Sequence, residues 1–278
     1  MRIQRIVLLL LATIISLTAI TRATKAQAMP SNKLYQGMTQ AEQTAFVAEQ
    51  AQSIARRMSG TEYKFTPAFA ANIQKFVDGY TRRINNNGGD TLLKGDARLV
   101  FERGRDNAPV LIGAFKARNV SPLIGLYIPL IESEYINIET PNSVGAIGMF
   151  QFLPQTGARY GLTAQELLDV EKSADAAARY IGHNLARFKN DSMKEALALL
   201  AYNRGEGAVE RDIASIVNEQ NKECSICALT AARNQLDATF QNENVFYVPS
   251  FFAAAIIGEN PQAFGLSLQP LSSYESKR

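Results

Sequence analysis

"LIESEYINIETPNSVGAIGMFQFLP", residues 130–154, closes an apolar run with two glutamates and opens a segment punctuated by glycines. Just upstream, Leu123, Ile124, Leu126, Ile128, Leu130 and Ile131 make a helix that is apolar on most sides, the pattern of a buried helix. Ser121 and Pro122 read as its cap and first-turn proline, and the helix is expected to run to about Tyr135. Glu132 then falls near the helix C-terminus among apolar neighbours. Burial disfavours its charged form, and the negative end of the helix dipole adds to that, so its pKa is expected to rise, as a general acid requires. A structural carboxyl capping a neighbouring helix would leave the same local pattern, and both readings stand on these residues alone. Glu134 would lie about 200° further round the helix, so the two carboxyls cannot face each other as an acid/base pair.

The downstream half of the stretch continues to "QTGARYG" and places Gly145, Gly148, Gly157 and Gly161 close together. Glycines let the backbone approach a ligand closely, or let a helix and a loop pack tightly. Gln151, set among them, offers both donors and acceptors, which suits recognition of an amide or a hydroxyl. The G-K-[ST] ending of a phosphate loop is absent. A further element is "LLAYNRGEGAV", residues 199–209, where Tyr202 and Asn203 end an apolar helix before Gly205 and Gly207. The pair reads either as pocket lining or as an ordinary helix C-cap.

Working outward, the chain reads as all-α. Thr39 and Glu42 form a capping-box pattern for a helix to about Met58, with Gly60 as its stop. Thr66 and Pro67 open a second helix, with Phe69, Ile73, Phe76, Val77, Tyr80 and Ile84 at helical spacing. "NNNGGD", residues 85–90, breaks the pattern, and separate helices are expected over 96–105 and 108–118. Ser173 should cap a helix to Phe188, and Ser192 with Glu195 should form a capping box for the next. Val209, Ile213, Ile216 and Val217 mark another helix. Residues 228–240 and 245–257 look helical as well, the latter with a bend at Pro249. The polar tail, 267–278, is expected to fray. Residues 29–107 form a smaller helical N-terminal region whose apolar stripes fit a core better than a partner face.

Residues 1–28 are expected to be a signal peptide: Arg2 and Arg5, an apolar core over 6–20, then Ala26-x-Ala28. No cysteine follows the apolar core, so a lipid anchor is not expected. Arg2, Arg5, Arg22 and Lys25 meet no acid in the leader, so removing these four charges takes the net charge from +3 to −1. The basic balance therefore gives no reason to expect nucleic acid as a partner. In an oxidising compartment Cys224 and Cys227 would form either a local disulfide or two free thiols; the pair lacks the further ligands of a structural zinc. The single histidine, His183, lies in a helix-like stretch and reads as a helix-surface residue, which leaves Ser-His and Cys-His chemistry poorly supported.

"IESEY" at 131–135, "GAIGMFQFLPQTGARYGL" at 145–162, "AYNRGEGAV" at 201–209 and "FYVPSFF" at 246–252, in this order, resemble the soluble lytic transglycosylase superfamily. That superfamily has the goose-type-lysozyme-like fold, and the likeness is strongest to the membrane-bound lytic transglycosylase D branch. The resemblance covers 108–266 and implies a lysozyme-like helical catalytic domain there. It implies that Glu132 is the catalytic acid/base and that Ser133 helps to orient the site. Gly148 and Gln151 would line the substrate groove, Tyr202 and Asn203 would form an aromatic–amide pair beside the glutamate, and Tyr247 would lie near the cleavage site. Arg204 stands where a small residue is more usual.

The implied substrate is the glycan strand of peptidoglycan in the periplasm, with no metal or organic cofactor. A single carboxyl suits a reaction in which the sugar's own hydroxyl replaces water, whereas ordinary glycosidases use two carboxylates. Two other readings remain. One is a hydrolytic muramidase on the same fold, using Glu139 as its second carboxylate. The other is a wall-binding or scaffold component of a secretion or conjugation machine, with residues 29–107 facing the envelope machinery.

Overall fold

The computed structural model describes residues 33–86 and 95–275. The expected leader at 1–28, most of the break at 85–90 and the last three residues fall outside them. The described residues form α-helices joined by turns and short 3-10 segments; the only extended pairing among them is an isolated bridge between Ile147 and Phe152.

α1 (Gln40–Ser59) begins where its cap chemistry is written. The Thr39 side chain accepts from the Glu42 backbone, the Glu42 carboxylate accepts from the Thr39 backbone, and Gly60 ends the helix with φ 79°. α2 (Pro67–Arg83) opens on Thr66, whose hydroxyl accepts from the Phe69 N–H. These helices follow local rules because cap partners lie within one turn.

α3 (Ala97–Ala117) corrects the expectation of two helices. It runs unbroken through Pro109. The proline removes one backbone bond, but Val100, Phe101, Ala108, Leu111, Ile112 and Phe115 form one continuous buried stripe that holds the rod together. α4 (Pro122–Ser133) packs along it, and Gly125 makes this approach possible, since a Cβ there would collide with the Phe115 ring. Ser121 precedes α4 but makes no side-chain cap bond.

After the short α5 (Pro154–Arg159) come α6 (Val170–Arg187), α7 (Lys194–Arg204) and α8 (Glu206–Ile216). Two predicted caps are corrected here. Asp169, not Ser173, caps α6, accepting from Glu171 N and Lys172 N, and Ser173 is buried inside the helix. α7 has no side-chain cap; Glu195 is instead buried and accepts from the Tyr63 hydroxyl at 2.9 Å. The stretch 228–240 is divided between α9 (Ser225–Ala231), a 3-10 turn and α10 (Ala238–Asn242). Cys224 and Cys227 form a disulfide at the start of α9.

α11 (Tyr247–Glu259) is central among the described helices: every residue in it except Ser250 is buried. Pro249 is its third residue, where no intrahelical bond is lost, so it opens the helix rather than bending it. α1, α2, α4 and α7 all pack on α11. Phe65 meets Phe252 at 5.1 Å between ring centres and Tyr127 meets Phe251 at 6.2 Å. Truncating either phenylalanine to alanine would cost about 3–5 kcal/mol. The stripes of α1 and α2 are thus spent in a core shared with α4 and α11. The tail is also corrected: Leu268 and Leu271 are buried, and Ser272 donates to Glu259 through its backbone N–H at 3.1 Å and its hydroxyl at 2.5 Å.

Candidate active site

The apolar run of α4 leaves every residue from Leu123 to Leu130 buried, and Glu132 emerges in the last turn. α4 then stops at Ser133, short of the expected Tyr135. Glu134 and Tyr135 both take left-handed backbone, with φ of 52° and 61°. Glu134 is therefore not on the helix, and the angular argument for separating the two glutamates gives way to a different one. The turn sends the Glu134 carboxylate to Arg83 of α2 at 2.7 Å, with Arg103 of α3 at 3.8 Å, while Arg103 Nε donates to the Glu134 carbonyl at 2.9 Å. Glu134 is a buried structural residue that ties α2 and α3 to the end of α4.

Glu132 has a different setting. Its Oε1 accepts the Tyr247 hydroxyl at 2.6 Å, and no cationic side chain pairs with it among the described residues. Burial pushes its pKa up to about 7, the phenol's hydrogen bond offsetting only part of the rise. Near neutral pH the carboxyl is shared between its acid and base forms. Tyr247, at the start of α11, is held well above its ordinary pKa by burial and then by Glu132, so it remains a donor. Tyr202, from the last turn of α7, is raised for the same two reasons in the same order.

The glycine segment is tied down around this carboxyl by its neighbours. Ser133 Oγ donates to the Met149 carbonyl at 2.7 Å, and the Tyr202 hydroxyl donates to the Phe150 carbonyl at 2.8 Å. Gly148 needs its glycine twice over: φ is 78°, and a Cβ would strike the Leu167 carbonyl. Gln151 also sits at positive φ, 49°, and its Nε2 donates to the Gly148 carbonyl at 2.8 Å. One N–H and one or more lone pairs of its amide remain for other partners. Asn203 is exposed, and its Oδ1 accepts from Asn244 Nδ2 at 2.7 Å. Helix capping at this point falls to Gly205, whose N–H donates to the Ala201 carbonyl at 2.9 Å.

The structure thus brings Glu132, Ser133, Gly148, Gln151, Tyr202 and Tyr247 into one connected arrangement, with Asn203 at its edge. Glu139 is exposed in the loop after α4, and His183 is exposed on α6, 3.1 Å from the Tyr160 hydroxyl. Sequence reading missed three asparagines. Asn137 accepts from Met149 N and donates to the Leu168 carbonyl. Asn142 accepts from Val144 N and Ala146 N, folding the loop that precedes the glycines. Asn244 holds Asn203. Asn142 alone had a local signal, an Asx-type turn two residues before Val144.

A helical domain built around one carboxyl that meets a phenol and, among the described residues, no cation is the class of protein that fold and site define. The transglycosylase SLT domain family model matches residues 110–224, less than half of the chain. The match includes every site residue named above except Tyr247 and Asn244. Membrane-bound lytic murein transglycosylase D from Escherichia coli K12 and its counterpart from Escherichia coli O6:H1 are each 27% identical over 162 residues, which is 57% of this chain and 32% of the relative. The chain spans about a third of the length of these curated relatives.

Proposed function

We propose that this protein is a peptidoglycan lytic transglycosylase of the cell envelope, cleaving the β-1,4 bond between N-acetylmuramic acid and N-acetylglucosamine without water. The observation that carries the reading is Glu132, a carboxyl raised to about 7 and bonded to one phenol. Protonated Glu132 gives its proton to the glycosidic oxygen as the C1–O bond breaks. The muramoyl N-acetyl group can stabilise the developing oxocarbenium ion. The resulting carboxylate then takes the proton of the muramoyl 6-hydroxyl as that oxygen bonds to C1. The product carries a 1,6-anhydro end, the glutamic acid is regenerated, and no water is consumed. A pKa near the working pH serves both halves, because the group must give and then recover a proton.

Tyr247 fits this cycle as the donor that supports the carboxylate after the first transfer. Ser133 and Tyr202 fix the backbone of residues 149–150, and Gln151, Asn203 and the carbonyls of the glycine segment supply polar groups for the sugar amides and hydroxyls. Glu139, the second carboxylate that a hydrolytic muramidase would need, is exposed in the adjacent loop. Mass analysis of muropeptides released from purified sacculi separates these readings, since an anhydro end is lighter than a reducing end by one water. Reducing ends alone would overturn the transglycosylase reading. Lysis by Glu132→Gln at the wild-type rate would overturn the catalytic assignment, and sacculus binding without lysis by wild type would favour a scaffold.

A further inference from the structure

α7 ends on Arg204, whose side chain is only 6% exposed although it directly follows the exposed Asn203. Each of its five N–H bonds is used. Nε donates to Asp212 Oδ2 at 2.5 Å and Nη2 to Asp212 Oδ1 at 3.1 Å. Nη2 also donates to Asp237 Oδ2 at 2.7 Å, and Nη1 to Asp237 Oδ1 at 3.1 Å. The remaining Nη1–H goes to Asn244 Oδ1 at 2.9 Å, and the guanidinium lies 5.1 Å from the Phe240 ring centre. Arg204 therefore joins α7, α8, the cap of α10 and the segment that leads into Tyr247.

The donor directions have a consequence at the site. A guanidinium can only donate, so Asn244 must turn its oxygen toward Arg204. Its nitrogen is then aimed at Asn203 and requires an oxygen there, which the 2.7 Å contact supplies. The polarity of the Asn203 amide is thereby decided: oxygen inward, nitrogen outward. Asn203 Nδ2 makes no hydrogen bond among the described residues, and its oxygen is held by Asn244, three residues before the Tyr247 that donates to Glu132.

We infer that Arg204 and Asn244 act as positioning residues that hold the Asn203 side chain as a hydrogen-bond donor toward an acceptor oxygen, a carbonyl or hydroxyl, of the bound glycan. The inference deepens the proposed function and rests on it for the identity of that glycan. Asn203 thus reads an acceptor and rejects a donor at the same place.

The test is a pair of full-length variants, Asn244→Asp and Asn244→Leu, assayed on purified sacculi. In Asn244→Asp one carboxylate oxygen still accepts from Arg204. The other now faces the Asn203 oxygen, so the Asn203 amide must turn over and present its oxygen to the glycan. KM should rise about tenfold, with kcat changed less than about threefold, the effect of setting acceptor against acceptor in place of one hydrogen bond. Asn244→Leu only releases the amide and should raise KM less, about threefold. Arg204→Lys, which keeps the charge but lacks the fork, should resemble Asn244→Leu. A purely structural role gives the reverse order, because aspartate keeps the volume and the Arg204 contact. Equal or weaker impairment in Asn244→Asp than in Asn244→Leu overturns the inference. Measuring sacculus cosedimentation of the same variants in a Glu132→Gln background removes any dependence on turnover. Anhydro ends with the reversed order would reject the relay alone; no anhydro ends with the predicted order would reject the reaction alone.

Discussion

α4 and α11 exchange two phenol–carboxyl hydrogen bonds, one at each end of their contact. Tyr247 at the start of α11 donates to Glu132 at the end of α4 at 2.6 Å. Tyr127 of α4 donates to Glu259 at the end of α11 at 2.5 Å. The two carboxyls differ in what else reaches them. Glu259 also pairs with Arg57 at 2.7 Å and accepts twice from Ser272. Among the described residues Glu132 receives the phenol alone. A buried carboxylate with a cation and several donors is a charged brace between helices; one with a single neutral donor is pushed toward its protonated form. The proposed catalytic group is thus distinguished by the partners withheld from it, and the chain keeps a fully partnered counterpart on the same pair of helices.

The same substitution at both ends should break the symmetry most sharply. Glu132→Gln is expected to lower the rate of muropeptide release by about a thousandfold, the scale of losing a general acid and base. Glu259→Gln should leave release per folded molecule within about twofold while costing about 2 kcal/mol in chemical denaturation, because the buried ion pair with Arg57 is broken. Arg57 is partly exposed, which keeps that figure below the full cost of a buried charge.

A smaller effect concerns stability at the Glu132 end. Glu132 has a folded-state pKa of about 7, raised from 4.5, so its contribution to stability is full below pH about 4.5 and is lost as pH rises through about 7. Glu132→Gln escapes that loss. It should match wild type near pH 4 and exceed it near pH 8 by on the order of 2 kcal/mol, read from denaturation curves at each pH. The smallest expected change follows Tyr247→Phe. The lost hydrogen bond had lowered the Glu132 pKa, so the alkaline fall in the pH–rate profile should move to higher pH. A shift to lower pH would contradict the assigned role of the phenol.

How much of this was legible beforehand depends on how far apart the interacting groups lie. The Thr39–Glu42 capping box and the Thr66–Pro67 start are read correctly because their partners are three residues away. Ser173, Ser192 and Glu195 look the same on paper but fail as caps. Asp169 supplies a nearer and charged acceptor, and the Tyr63 hydroxyl, 132 residues distant in sequence, takes Glu195 into the core. The predicted break before Pro109 fails for a related reason: burial of one long stripe outweighs one lost hydrogen bond. In the site, the glycines and the polar residues among them could be seen as a segment. Arg204 and Asn244 could not be tied to Asn203, because 40 residues separate the two asparagines and nothing local marks them as partners.

The sequence by itself determined an all-α chain, a buried helix leading to a carboxyl, and a glycine segment able to approach a ligand. Each of these rests on periodicity, caps or backbone freedom, which act over a turn or two. Tertiary structure alone decided which carboxyl would be left short of partners. It sent Glu134 to Arg83 through two left-handed residues, gave Glu259 to Arg57 and Ser272, and left Glu132 with one phenol. Charge pairing of this kind depends on which side chains packing brings within about 3 Å, and no local pattern encodes that distance.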